Sequence, residues 1–178
     1  MTYIFYPHHV ELESEDPERE ISWNSTPSRD VNSLLEQKWS TVRSLKHIAN
    51  PASGNIRERT YSLICTDFQM DFLPDNITGL ELKINAQRNG RIADEIIQLT
   101  YQGQAIGINN FVYLTDSEGH LKITNETFYG GPNDLWGAEL TTEMLQDPTF
   151  GVILKFQSHP YYPHSVGMIL DSVSLTVY

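Results

Sequence analysis

The stretch Gly79-Leu-Glu-Leu-Lys-Ile-Asn-Ala-Gln-Arg88 decides the fold class. Leu80, Leu82, Ile84 and Ala86 alternate with Glu81, Lys83, Asn85 and Gln87. Successive side chains of a strand point to opposite faces, so this period of two predicts a strand with one apolar and one solvated side. The rhythm returns in Ile97, Leu99 and Tyr101, after which Gln102-Gly103 turns the chain toward Ala105-Ile106. Phe150, Val152, Leu154 and Phe156 predict another strand. Val166, Met168 and Leu170 fall on even positions, then Val173, Leu175 and Val177 on odd ones. A slip of one residue turns every side chain over, so a bulge or bend near Asp171-Ser172 is required if both halves face one core.

Shorter strands are expected at Thr60 to Cys65, Phe111 to Leu114, Leu121 to Ile123 and Thr127 to Tyr129, with Asp116-Ser-Glu-Gly119 as a turn. Leu140 to Leu145 is the one helical stretch predicted in this part. Short strands between Gly, Pro, Asn and Asp clusters predict a mainly β chain. The expected architecture is an antiparallel two-sheet β-sandwich over residues 49–178, jelly-roll or immunoglobulin-like in its connections.

Residues 1–48 read differently, as an extended N-terminal arm. An aromatic leader (Tyr3, Phe5, Tyr6, Pro7, His8, His9) runs into Glu11-Leu-Glu-Ser-Glu-Asp-Pro-Glu-Arg-Glu20, which holds six acids and one base. Self-repulsion along such a run favours an extended, solvated segment. Between Asp30 and Ile48, the residues Val31, Leu34, Leu35, Trp39, Val42, Leu45 and Ile48 recur at steps of three or four, which predicts one face of a helix. Asp30 caps its start and Asn50-Pro51 stops it. Trp39, Thr41 and Val42 are also good strand residues, so an extended reading stays open.

The chain has 178 residues, with 12 Lys+Arg against 23 Asp+Glu and a net charge of −11. That length supports one domain, or one domain plus an arm. The acidity argues against nucleic acid as a partner, because phosphate neutralisation needs clustered Lys and Arg. One cysteine excludes an internal disulfide framework and a Cys-rich zinc site. The first residues lack a basic region followed by an apolar core, so no secretory signal is expected, and no run approaches the ~18 apolar residues of a spanning helix.

The search for chemistry returns little. Cys65 lies in the apolar stretch Tyr61-Ser-Leu-Ile-Cys65, which suits a buried structural thiol better than a nucleophile. There is no Gly-x-Ser-x-Gly elbow, no glycine loop ending in Lys-Ser/Thr and no His-Glu-x-x-His. His159-Pro-Tyr-Tyr-Pro-His164 offers either a pair of metal ligands, an aromatic sugar-stacking edge or a stiff hairpin loop, of which the loop is favoured. No calcium loop is visible, since Asp116-Ser-Glu-Gly119 supplies too few carboxylates. The expectation is therefore no catalytic, cofactor-binding or metal-ligating residue. In Thr127-Phe-Tyr-Gly-Gly-Pro-Asn-Asp-Leu-Trp-Gly-Ala-Glu-Leu-Thr141, a loop tied down by Trp136 and a ligand site are both open readings. A buried Trp136 needs a partner for its indole N–H.

Ala49-Asn-Pro51, Cys65-Thr-Asp-Phe68, Ile77-Thr-Gly-Leu-Glu-Leu-Lys-Ile84, Ile92-Ala-Asp-Glu-Ile-Ile-Gln-Leu99 and Gly107-Ile-Asn109 form an ordered series of short words. The series continues with Tyr129-Gly-Gly131, Asp134-Leu-Trp-Gly137, Phe150-Gly-Val152 and Asp171-Ser-Val-Ser-Leu-Thr-Val-Tyr178. This order resembles a β-sandwich module found in structural proteins of tailed-bacteriophage virions and in some large bacterial surface proteins. The module usually has a second Trp where this chain has Leu140-Thr-Thr142, and residues 1–48 have no counterpart in it.

The resemblance implies a non-enzymatic virion protein made in the host cytoplasm. The expected role is a capsid decoration (cement) protein that binds the major capsid protein of the assembled head shell and associates with itself as a homo-oligomer. A tail, neck or baseplate component and a carbohydrate-binding or receptor-binding adhesion module are the alternatives. No nucleic acid and no membrane are expected as partners. The partner-binding candidates are Tyr3, Phe5 and Tyr6 of the leader, Leu34, Leu35 and Trp39 of the arm, and Trp136, Tyr161 and Tyr162. Attachment is expected through the arm and the sandwich, with residues 1–48 as the attachment element, so a chain lacking residues 1–48 is expected to stay folded and soluble but no longer to decorate shells.

Overall fold

The structure, a computed structural model, describes residues 3–17, 20–21, 23, 40–45, 48–50, 54–56, 59–89, 92–112, 126–158 and 166–178. Among these, the first strands are β1 (Tyr3–Phe5), β2 (His9–Glu13), β3 (Glu20–Ile21), β4 (Ser40–Leu45), β5 (Ile48–Asn50), β6 (Gly54–Ile56), β7 (Arg59–Thr60) and β8 (Ser62–Thr66). They are followed by β9 (Leu80–Asn89), β10 (Ile92–Tyr101), β11 (Gln104–Ile106), β12 (Glu126–Gly130), the helix α1 (Thr142–Gln146), β13 (Gly151–Ser158) and β14 (Val166–Val177).

Two sheets pack face to face, as the alternating pattern predicts. The first runs β1-β14-β9-β12, with β4 also on β14; the second runs β11-β10-β13-β7-β3, with β8 on β13 and β2 on β8. All pairs are antiparallel except the two-residue contact between β3 and β7. Strands β5 and β6 form a separate two-stranded ribbon. Leu80, Leu82 and Ile84 of β9 and Leu170, Leu175 and Val177 of β14 meet Leu63, Ile97, Val152, Leu154 and Phe156 of the other sheet in one buried core. The two longest ladders carry this core: β9 gives it four residues and β14 five, while β10 and β13 give three each.

The expected bulge in β14 is present. Leu170 pairs with Ala86 and Ser172 with Asn85, so Asp171 is skipped and the buried set changes from even to odd positions. Gln102 and Gly103 turn β10 into β11 with positive φ at both residues (51° and 73°), the geometry a tight hairpin needs. Helix α1 is capped by Thr141, whose Oγ1 accepts from the Met144 N–H (3.2 Å). Phe111-Val112 is not strand, and Leu121 to Ile123 with Asp116 to Gly119 lie outside the described residues.

The N-terminal arm is corrected where it is described. Strand β1 extends the first sheet along β14, with Tyr3 opposite Val177 and Phe5 opposite Leu175. Strand β2 extends the second sheet along β8. Trp23 is buried, its indole N–H donating to the Tyr61 carbonyl (3.1 Å) and its ring edge-on to Phe156 (6.1 Å). The run of acids does not prevent this, because β2 turns Glu11 and Glu13 to solvent while Val10 and Leu12 pack on the core. In the helix expected over 30–48, residues 40–45 are strand β4, paired with β14, and residues 31–39 lie outside the described residues. Among the described residues no helix is long and apolar enough to cross a membrane.

Candidate functional site

The word Asp134-Leu-Trp-Gly137 builds a plug at one end of the sandwich. Trp136 is fully buried and takes φ = 59°, a left-handed conformation that is costly for a bulky residue. Three bonds hold it there. Its backbone N–H donates to Asp134 Oδ1 (2.7 Å), its indole Nε1–H to the Leu80 carbonyl (2.9 Å), and its carbonyl accepts from the Ile108 N–H (2.8 Å). Leu80 N–H donates to the Asp134 carbonyl (2.9 Å), and its carbonyl also accepts from Gly131 N–H (3.0 Å). Gly107 and Gly130 both have positive φ (66° and 75°), and a Cβ on either would collide with Trp136. The glycine-rich words are thus a packing device that closes the core around one indole.

A second group of polar side chains ties the two sheets together. Asp94 of β10 is 1% exposed. Its carboxylate accepts from Tyr129 Oη of β12 (2.7 Å) and from the Val112 N–H (3.4 Å), with the Arg88 guanidinium of β9 at 3.5 Å. Burial raises the Asp94 pKa against the opposing pull of Arg88. Burial first, and the Asp94 charge second, push the Tyr129 hydroxyl well above its ordinary range. Arg88 also lies over the Phe156 ring (5.8 Å), and its Nε has no partner among the described residues.

A third group lies on the outer side of the second sheet, where Ser14 and Glu20 meet Lys155. Lys155 Nζ meets Glu20 Oε1 (2.5 Å), and Ser14 Oγ donates to Glu20 Oε2 (2.7 Å). Burial works to raise the Glu20 pKa, but the bonds from Lys155 and Ser14 outweigh it and hold the carboxyl below its usual range. Glu95 pairs with Arg59 (3.0 Å), while burial raises its pKa against the Arg59 and Lys155 charges. The sequence did not single out Lys155, Glu20, Asp94 or Arg88. A charged residue inside an apolar alternation, such as Lys155 between Leu154 and Phe156, was the available signal.

An open cleft of about 480 Å³ lies on the same outer face, lined by His9, Glu11, Glu13, Ile64, Thr66 and Thr149 among others. His9 Nε2 bonds Glu11 Oε1 (2.8 Å). Among the described residues no group of three or more His, Cys, Asp or Glu side chains converges as a metal site.

The predicted partner-binding residues are scattered. Tyr3 and Phe5 are half-buried and stacked on each other (6.4 Å), with Phe5 packed on the core, and Tyr6 is half-buried. Trp136 is corrected: it is interior and has no face to offer a partner or a sugar. Leu34, Leu35, Trp39, Tyr161 and Tyr162 lie outside the described residues, as does the loop 159–164. Cys65 is fully buried, and burial pushes its thiol far above the ordinary range. The apolar side chains that do face solvent are others, including Ile4 (58% exposed), Phe72 (76%) and Phe128 (51%).

No protein-family profile matches the chain, and no curated protein matches it. It is similar to a solved structure described as "Prominent members of the human gut microbiota express endo-acting O-glycanases to initiate mucin breakdown", at 13% identity and a TM-score of 0.41, covering 98% of each chain. A likeness of that size carries no argument about activity.

Proposed function

We propose that this chain is a non-enzymatic structural protein of a tailed-bacteriophage particle, and that it decorates the assembled head shell by binding the major capsid protein. The observation that carries the reading is what the ordered sequence words do. Those that resemble the phage module and fall within described residues include Ile77–Ile84, Gly107–Asn109, Tyr129–Gly131 and Asp134–Gly137. These four meet at the Trp136 plug, where they supply backbone bonds and clearance rather than reactive groups. The buried titratable groups support the same reading, since Asp94, Arg88, Glu20 and Lys155 face one another as ion pairs inside the fold. A net charge of −11 suits docking on basic shell patches.

Because strands β1 to β3 are built into both sheets, attachment in this reading uses the outside of the sandwich, where Ile4 and Phe128 project from the first sheet. Docking at local symmetry axes of the shell would favour a homo-oligomer. The test is the position and copy number of the chain in purified particles. Decoration requires copies in proportion to the shell protein and spread over the head. A few copies confined to the tail, neck or baseplate replace decoration with the tail reading, and absence from particles overturns both.

A further inference from the structure

Strand β12 ends the first sheet on the side away from β1, and among the described residues no strand lies beyond it. Its ladder with β9 runs without a shift from Glu126 opposite Asn85 to Gly130 opposite Glu81. The next N–H, that of Gly131, donates to the Leu80 carbonyl of β9 (3.0 Å). Backbone groups alternate in direction along an antiparallel pair, so Thr127 and Tyr129 bond β9 in turn. Glu126, Phe128 and Gly130 therefore point their N–H and C=O groups outward, away from the sheet. Such a row is a template on which another strand can pair.

The other outer strands are short or guarded by charge. Strands β1, β3 and β11 offer two or three residues each, β4 carries Arg43 in its run, and β2 turns Glu11 and Glu13 to solvent. Strand β12 has Phe128 at its centre instead, 51% exposed. The charges beside that ring already neutralise each other: Lys83 Nζ lies over it (5.5 Å) and bonds Glu126 Oε1 (2.6 Å).

We propose that two copies of this chain pair antiparallel through β12, about a two-fold axis at Phe128. Bonds form only where outward-pointing residues face one another, and the register centred on Phe128 uses all of them. Phe128 then faces Phe128 of the second copy, and Glu126 and Gly130 face its Gly130 and Glu126. Each of these pairs exchanges both backbone bonds. The side chains fit the same register. The two Phe128 rings adjoin as a cross-strand aromatic pair, with a Lys83 on either flank. Each Glu126 lies opposite a glycine, so no like charges meet directly across the axis. The two first sheets become one continuous sheet. This pairing supplies a contact for the homo-oligomer that the virion reading favours, but it rests on strand geometry alone, so either can fail without the other.

Sedimentation velocity of the full chain over a concentration series is the test. The dimer fraction is expected to rise with concentration. Phe128→Lys, with its fold checked by circular dichroism, is expected to need at least about tenfold more protein to dimerise, because it sets two cations opposite each other. Phe128→Cys is expected to be joined into dimers by a short bismaleimide, whereas Gln104→Cys, on the exposed edge strand β11 of the other sheet, is not. The buried Cys65 stays out of that reaction. A wild-type chain that remains monomeric throughout overturns the pairing and leaves the edge to a strand of another protein. A dimer that forms equally well in Phe128→Lys, or that is joined through Gln104→Cys instead, overturns the β12 interface.

Discussion

The indole N–H of Trp136 donates to the carbonyl of Leu80, fifty-six residues earlier in the chain, at 2.9 Å. Leu80 opens the strand whose alternation defines the fold, so one bond joins the plug to the central ladder. Trp136→Ala is expected to cost about 3–5 kcal/mol, since it empties a fully buried site and strands the plug loop. Trp136→Phe keeps part of the volume but loses the donor, and should lie between the two. Urea unfolding read as a shift in midpoint at constant slope checks both.

Tyr129→Phe removes the hydroxyl that donates to buried Asp94 from the opposite sheet (2.7 Å). A buried acceptor left short of a donor costs about 1–3 kcal/mol, and the loss should appear in the same unfolding experiment.

The pH dependence follows from the sign of the Asp94 shift. Its pKa in the folded chain is raised by burial, so the folded state takes up a proton before the unfolded one does. As pH falls from neutrality through the raised folded value toward the ordinary carboxylate value, this residue adds stability. The stability of wild type relative to Asp94→Asn is therefore expected to increase over that window. A difference that shrinks instead would contradict the assignment; denaturant midpoints at several pH values measure it.

Deleting residues 1–23 removes β1, β2, β3 and buried Trp23, and bares the edges of β14 and β8. A loss of more than about 3 kcal/mol from the indole alone is expected, together with association through the exposed edges. Thermal unfolding and size-exclusion chromatography of the shortened chain check this. A stable monomer would restore the expectation of a dispensable arm.

Cys65 is expected to resist thiol reagents in the folded chain and to react fully on unfolding, because its burial holds the thiol protonated. Timed labelling with and without denaturant gives the answer.

How much was legible depended on whether the signal was local. Leu80 to Ala86, the change of phase at Asp171 and the Gln102-Gly103 turn were readable because alternation and turn conformation are properties of neighbouring residues. Glu11 to Glu20 misled because charge density was taken as solvation. Its alternate members Val10 and Leu12 were the better signal for a strand at a sheet edge. The pairing of Glu20 with Lys155 had no sequence signature at all, being a contact between positions 135 apart.

By itself the order of residues determined that this chain makes two-faced strands, where one of them shifts phase, and that Cys65 suits an interior; Trp136 stayed open between core and ligand site until the fold buried it. Those features follow from side-chain direction along an extended backbone. Only the tertiary structure decided which strands adjoin, that β1 and β2 close opposite sheets, and that Arg88, Asp94 and Tyr129 converge across the core. Such partners are chosen by the long-range packing of two sheets, and no local pattern encodes the distance between residues that only folding brings together.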